Sequence, residues 1–359
     1  VPSSTSSALQ IIERVALAPF TTFRIGGPAR FFCEVACEEA LVEAVRFARE
    51  RDLRIFVLGG GSNLLISDAG FDGLVIHLAI DTPTRTLAMD DLVEYEVAAG
   101  TDWDAFVLSV CEQGIAGVEC LAGIPGLVGG SPIQNIGAYG QQVADTIESV
   151  RALDLESLEF VTLSRKACGF SYRHSIFNTT QRDRYIVTQV VFRFRLASTP
   201  TLTYADLTKH FAAQLEAGEA PTPMQIYRAV REIRHGKGML LVEGEQDCRS
   251  AGSFFKNPIV SATILAPLAA ELTLDSGTIP HWPAGEGKIK LPAAWLLERA
   301  GFVKGFALGE AGISSRHTLA LINRGHATAG DIASLRDAIQ MRVRERFNIR
   351  LEQEPVQIG

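Results

Sequence analysis

Three residues stand in settings suited to chemistry on an anionic substrate, and two glycine-rich runs are suited to hold a large reactive group beside it. Arg173 lies in Ser171-Tyr172-Arg173-His174, between apolar residues. A guanidinium there grips a carboxylate with two parallel hydrogen bonds, or equally closes a structural ion pair. Ser253 stands in Ala251-Gly252-Ser253-Phe254-Phe255-Lys256-Asn257-Pro258, small residues before two aromatics and a turn. A lone serine in that setting also reads as a plain helix or turn cap. Glu354 sits between apolar positions of a short strand near the C-terminal end. It is solvated surface unless that strand packs back into the body.

The first glycine run is Gly59-Gly60-Gly61-Ser62-Asn63 and the second spans Gly117 to Gly140, GVECLAGIPGLVGGSPIQNIGAYG. The second has neither helical nor strand periodicity, and loops of that length inside compact domains are usually functional. Glycines allow positive φ and bring backbone N–H groups close to a ligand. Successive N–H groups form a concave nest for a phosphate or a polar ring edge. The dinucleotide fingerprint needs a strand, GxGxxG and then a helix, whereas the first run lies between two predicted strands. No GxxxxGK[ST] sequence is present, which disfavours a P-loop nucleotidase. Two nests fit a cofactor with a diphosphate and a ring system, and a flavin suits them.

Composition narrows the rest. At 359 residues, two or three domains are expected. A hydrophobic share of 47% against 21% charged residues is that of an ordinary globular protein. A net charge of -7 argues against nucleic acid as the main partner but leaves room for a local basic pocket. No apolar run is long enough to span a bilayer. Cys33, Cys37, Cys111, Cys120, Cys168 and Cys248 are scattered without a CxxC pair. They read as small buried hydrophobes in a reducing cytosol, with no metal site. The opening VPSSTSSALQ lacks a secretion-type apolar core, and residues 1–14 are expected as a disordered or processed leader.

The elements that must position these residues follow from periodicity. A turn at Gly26-Gly27-Pro28 leads into a strand ending near Val35, and Glu38–Glu50 is an amphipathic helix. Strands are expected at 54–58, 73–80 and 92–98, and a helix at 102–112 closed by Gly114. Further strands follow at 149–155, 158–163 and, with clean alternation, 185–196. Residues 197–224 are polar and proline-bearing, an excursion from the body. Helices are expected at 224–234, at 292–299 between Pro292 and Gly301, and at 331–347. A composition shift near 235–250 marks a domain junction.

The stretches TTFRIGGPA, VLGGGSNLLISD, GIPGLVGGSPIQNIGAYG, SYRHSIF, RSAGSFFKNP and LEQEPVQIG, taken in order, resemble the UDP-N-acetylenolpyruvoylglucosamine reductase family. The resemblance covers nearly the whole chain from about Ala18, and SPIQNIGAYG with the Tyr204-bearing excursion looks like the longer of its two subclasses. It implies an α+β protein with an FAD-binding fold of the vanillyl-alcohol-oxidase (PCMH) type. The implied domains are FAD-binding subdomain 1 (15–82), FAD-binding subdomain 2 (83–236, with 348–359 packing back) and a substrate-binding domain (237–347).

By the same resemblance FAD is bound non-covalently between the first two domains, along two sets of residues. The first is Ile25, Gly26, Gly59, Gly60, Gly61, Ser62, Asn63 and Leu64. The second is Gly123, Ile124, Pro125, Gly126, Gly129, Gly130, Ser131, Gln134, Asn135 and Gly137. Arg173, Ser253 and Glu354 take the catalytic positions, and Tyr139, Tyr172, Tyr204, Lys237, Asn257 and His317 the substrate contacts. NADPH is the implied hydride donor, UDP-N-acetylenolpyruvoylglucosamine the substrate, and cell-wall precursor synthesis in the cytoplasm the setting, for a monomer without membrane partners.

The implied chemistry is hydride transfer to C3 of the enolpyruvyl group and protonation of C2 by Ser253, with Arg173 and Glu354 on the carboxylate. His174 stands where many relatives carry Asp, and Gln353 and Pro355 alter the usual tail, which leaves Glu352 as an alternative carboxylate. Two other functions stay open on sequence: an oxidase of the same flavin fold, and a UDP-sugar-binding protein without redox activity.

Overall fold

A computed structural model describes residues 9–359. The described residues divide into two compact units, one of residues 9–15, 29–60 and 72–235, the other of residues 16–28, 61–71 and 236–359. The boundary runs through the first glycine run itself. Residues 61–71, expected in the first FAD-binding subdomain, belong to the unit that carries the C-terminal part.

The first unit is built on two sheets. Strands Ile12–Ala16, Pro28–Val35, Phe71–Leu78 and Arg54–Leu58 lie side by side in that order, the last two parallel. The helix Glu38–Glu50 buries Leu41, Ala44, Val45 and Ala48 at helical spacing, in one core with Leu74, Ile76 and Leu78. Its N-cap is Cys37, whose sulfur accepts from the Ala40 N–H, and Cys37 is exposed. The expectation of six buried thiols therefore holds for five. The other five are buried, and burial pushes the thiols of Cys33, Cys120 and Cys168 up to about 12.

The second sheet is antiparallel, in the order Phe160–Ser164, Ile147–Asp154, Tyr185–Arg195, Leu92–Ala98, Arg85–Met89. Strand Tyr185–Arg195 alternates because one face looks into the core, where Phe192 and Phe194 stack near Trp103, Phe106 and Tyr95. The helix Trp103–Glu112 starts where Asp102 accepts from the Ala105 N–H, and Gly114 beyond its end takes φ +73°. The excursion carries two short helices, Ala205–His210 and Ala212–Glu216.

The second unit holds a core of Phe254, Phe255, Leu296, Leu297 and one face of the helix Ala329–Phe347. That helix begins two residues before the expected position because Thr328 and Asp331 form a reciprocal capping box. The tail strand Val356–Ile358 pairs in parallel with Leu64–Ile66, within the same unit. A second correction concerns the leader. Residues 12–14 lie in a sheet strand, since Ile12–Ala16 runs beside Pro28–Val35, while residues 1–8 fall outside the described residues. No helix among the described residues is long and apolar enough to cross a membrane.

Candidate functional site

In the first unit the two glycine runs touch. A Cβ on Gly60 would lie 2.5 Å from the Cα of Gly126, so Gly60 must stay without a side chain for the loops to approach. The N–H groups of Gly59, Gly60, Ile124 and Gly126 carry no protein acceptor among the described residues. The rest of the second run departs from the expected nest. The Gly123 N–H donates to Asp104 Oδ1 at 2.6 Å, that of Gly129 to the Ala99 carbonyl and that of Gly130 to Leu127. Gly129 is there for close packing, since its Cβ would sit 2.6 Å from that of Ala99. A buried hydroxyl in the same loop, Ser131 Oγ, has no hydrogen-bond partner among the described residues, and the space beside Gly130 is open. Open backbone donors, an orphaned buried hydroxyl and an unfilled edge are what a group with many acceptor atoms requires.

Arg234 supports this loop and no sequence reading singled it out. It lies on the helix Pro223–Gly236, is 6% exposed, and its Nε donates to the Gly123 carbonyl at 3.0 Å. Burial holds its guanidinium below the usual arginine range. One turn away Arg231 pairs with Asp104, the carboxylate that also accepts from Gly123 and from the Tyr227 hydroxyl. The Tyr227 phenol is pushed up to about 12, by burial first and then by Asp104.

Arg173 takes a left-handed backbone, φ +58°, in the tight turn in which Ser171 and His174 exchange backbone hydrogen bonds. Such a conformation at a residue with a Cβ costs roughly 1–3 kcal/mol and persists only where the surroundings over-determine it. Here Asn178 Nδ2 donates to the Arg173 carbonyl, and the Ser175 hydroxyl donates to Ile133. The guanidinium reaches back to the glycine loop, donating to the Gly137 carbonyl at 2.8 Å and to that of Asn135 at 3.5 Å. Tyr172 lies 5.4 Å from it, ring to guanidinium carbon. Tyr139 and Tyr204, 65 positions apart in sequence, meet edge to face at 5.3 Å. Asn135, named for the cofactor, is 1% exposed and has its side-chain amide engaged wholly within the protein.

In the second unit the chain brings Ser253 and Glu354 onto neighbouring backbones. Phe255 and Gln353 form an antiparallel bridge, the Glu354 N–H donates to the Phe254 carbonyl at 2.9 Å, and the Lys256 N–H donates to Glu352. Phe254 and Phe255 anchor this bridge in the core, at roughly 1.5–3 kcal/mol for each buried ring. Asn63 joins from the glycine run, its side chain donating to the Glu354 carbonyl at 3.4 Å and its own carbonyl accepting from Val356. Glu352 points elsewhere, 70% exposed and paired with Lys256 at 2.6 Å.

Of the expected substrate residues in this unit, Asn257 uses its Oδ1 to cap the helix Ala293–Arg299. His317 follows Ser314, whose hydroxyl accepts its N–H at 3.3 Å. Lys237 precedes Gly238, which packs against Asp247, Arg316 and Ser314. Ile25 is buried, Gly26 takes φ +142°, and the Gly27 N–H donates to Ser67. Among the described residues no group of three His, Cys, Asp or Glu gathers at metal-binding positions.

The mixed sheet-and-helix architecture and its open glycine cradles define an FAD-dependent oxidoreductase, and residues 29–163 match the family described as an FAD binding domain. Residues 244–358 match the one described as "UDP-N-acetylenolpyruvoylglucosamine reductase, C-terminal domain". The UDP-N-acetylenolpyruvoylglucosamine reductase of Streptomyces coelicolor is 43% identical over 364 residues, 100% of this chain and 93% of that relative. That of Thermobifida fusca is 43% identical over 351 residues, 97% of this chain and 98% of the relative. The crystal structure of the UDP-N-acetylenolpyruvylglucosamine reductase from Thermus caldophilus superposes with a TM-score of 0.64 at 27% identity, covering 98% of this chain and 100% of that one. The chain belongs to the UDP-N-acetylenolpyruvoylglucosamine reductase family.

Proposed function

We propose that the chain reduces the enolpyruvyl double bond of UDP-N-acetylenolpyruvoylglucosamine to give UDP-N-acetylmuramate, with NADPH as electron source, in the supply of peptidoglycan precursors. The observation that supports this reading is the bridge between Phe255 and Gln353, which brings together the backbone segments carrying Ser253 and Glu354 from 101 positions apart in sequence.

When bound, FAD would supply two-electron hydride chemistry between NADPH and the enolpyruvyl double bond. The chain's own residues do the rest. Gly59, Gly60, Ile124 and Gly126 would offer backbone N–H groups, and Ser131 its hydroxyl, to the cofactor's acceptors. Arg173 would hold the substrate carboxylate as charge builds on it, a stabilisation worth a few kcal/mol from a pre-oriented donor. Glu354, if it carries a proton, would donate a hydrogen bond to the same carboxylate. Ser253 would deliver a proton to C2, and a hydroxyl is a competent acid only toward so basic a carbon. Glu354 is preferred to Glu352 because Glu352 is spent on an exposed pair with Lys256. Tyr139, Tyr172, Tyr204, Lys237, Asn257 and His317 are proposed to bind the UDP-sugar, the tyrosines by ring contacts and Lys237 as a point charge. The protein is proposed to act in the cytosol as a monomer.

The test is anaerobic. The purified protein should show a flavin absorption band that NADPH bleaches and that the enolpyruvyl sugar then restores. Bleaching without restoration would point to another substrate.

A further inference from the structure

We infer that Asn135 is a positioning residue that sets the Arg173 guanidinium, and not a cofactor contact; the inference rests on the role proposed above for Arg173. An asparagine amide has two N–H donors and one acceptor oxygen. Both donors are used, one on Gln142 Oε1 at 2.9 Å and one on the Ser171 carbonyl at 3.0 Å, and the oxygen accepts from the Ala144 N–H at 3.0 Å. At 1% exposure the group has no N–H left to offer a ligand.

What these bonds hold is the turn that presents Arg173. Ser171 opens that turn, and its carbonyl also accepts the His174 N–H that closes it. Arg173 sits at the third place with φ +58°, where glycine or asparagine is the usual occupant. The strain must be held from outside, and Asn135 holds it from the glycine-loop side. Asn135 is itself left-handed at φ +48°, so its carbonyl turns to receive Arg173 Nη1 while Gly137 receives Nη2. One residue thus fixes both the backbone that carries the guanidinium and part of the surface on which it rests. Gln142 completes the relay, with its Nε2 donating to Asp145 Oδ1 at 3.1 Å.

Asn135→Asp keeps the shape and the acceptor for Ala144 but removes both donors. The half-reactions should separate. Flavin content and the rate of flavin reduction by NADPH should stay within about twofold, while reoxidation by the enolpyruvyl sugar slows roughly 10²-fold, as expected when a reacting group is misplaced by about an ångström. In the double variant Asn135→Asp/Arg173→Lys, the two losses should fall well short of additive, since the second change strikes a fork already displaced. Additive losses, equal slowing of both half-reactions, or loss of flavin from folded protein would overturn the inference. If Asn135→Asp does not fold, Gln142→Met at the half-exposed end of the relay takes its place. It should slow only reoxidation, by less, and an unaltered rate would count against the relay. A wild-type protein that never reoxidises with the enolpyruvyl sugar would instead remove the proposed function itself.

Discussion

Arg173 and the Ser253–Glu354 pair are positioned by opposite means. Arg173 depends on side chains: Asn135, Asn178 and Ser175 tie down a turn whose backbone is unfavourable alone. Ser253 and Glu354 depend on main chain, through an antiparallel bridge and a parallel strand pair that most sequences could form. The difference teaches where each unit is fragile. Conservative changes around Arg173 should cost activity, whereas around Ser253 and Glu354 only changes to those residues, or to the backbone pairing, should matter.

The largest effect should come from Ser253→Ala. Loss of the proposed proton donor should slow flavin reoxidation by substrate about 10²–10⁴-fold while NADPH reduction is retained, read by anaerobic stopped-flow. Equal slowing of both steps would remove Ser253 from the chemistry. Next, Arg173→Lys should lower kcat about 10²-fold with a smaller change in KM, because an ammonium cannot reproduce the planar fork. An unchanged kcat in steady-state assays would break the comparison on its Arg173 side.

Gly60→Val should destabilise by about 1–3 kcal/mol, since its Cβ has only 2.5 Å to the Gly126 Cα, and should reduce bound flavin.

Side-chain dependence in the first unit should also appear in acid. Glu38 accepts from Arg151 through both oxygens and from the Thr188 hydroxyl. Burial acts to raise its pKa, but the Arg151 and Thr188 bonds outweigh it and hold the carboxyl below the usual glutamate range. The stabilisation is therefore complete above the ordinary glutamate value and is lost as pH falls through the depressed one. Glu38→Gln should flatten that part of the Tm-against-pH curve, and an unchanged acid limb would show that the pair adds nothing. Smallest of all, Glu352→Ala should move stability by about 0.2–1 kcal/mol at most and leave turnover intact, since its pair with Lys256 is exposed on the carboxylate side. A large loss of kcat would transfer the proposed carboxylate role from Glu354 to Glu352.

What could be read in the sequence was local. The helix Glu38–Glu50 and the strand Tyr185–Arg195 declared themselves by period, and the glycine run 59–63 by its place between two strands. The start at Thr328 was also written in the Thr-x-x-Asp spacing, although the apolar stripe alone put it at Asp331. What escaped depends on distant partners. A guanidinium on a helix face reads as solvated, and nothing near Arg234 in sequence reveals the Gly123 carbonyl that receives it 111 positions away. Glycines that donate to a ligand and glycines that merely permit packing look alike in sequence, so Gly123 and Gly129 were read as donors although their N–H groups are spent on Asp104 and Ala99. The strand Ile12–Ala16 was hidden for another reason: at an exposed sheet edge its alternation is too weak to announce it.

Trp103 carries a practical consequence. Its backbone N–H donates to the Gly126 carbonyl and its indole to that of Leu121, at 3.0 Å each and 1% exposure, so both ends of the residue are stitched to the glycine loop. Of the chain's 3 tryptophans, Trp282 is 49% exposed and Trp295 half-buried, which leaves Trp103 to supply the shortest-wavelength emission. That fluorescence overlaps flavin absorption, so its quenching reads out cofactor loading and its red shift reports melting of the loop, with no label added.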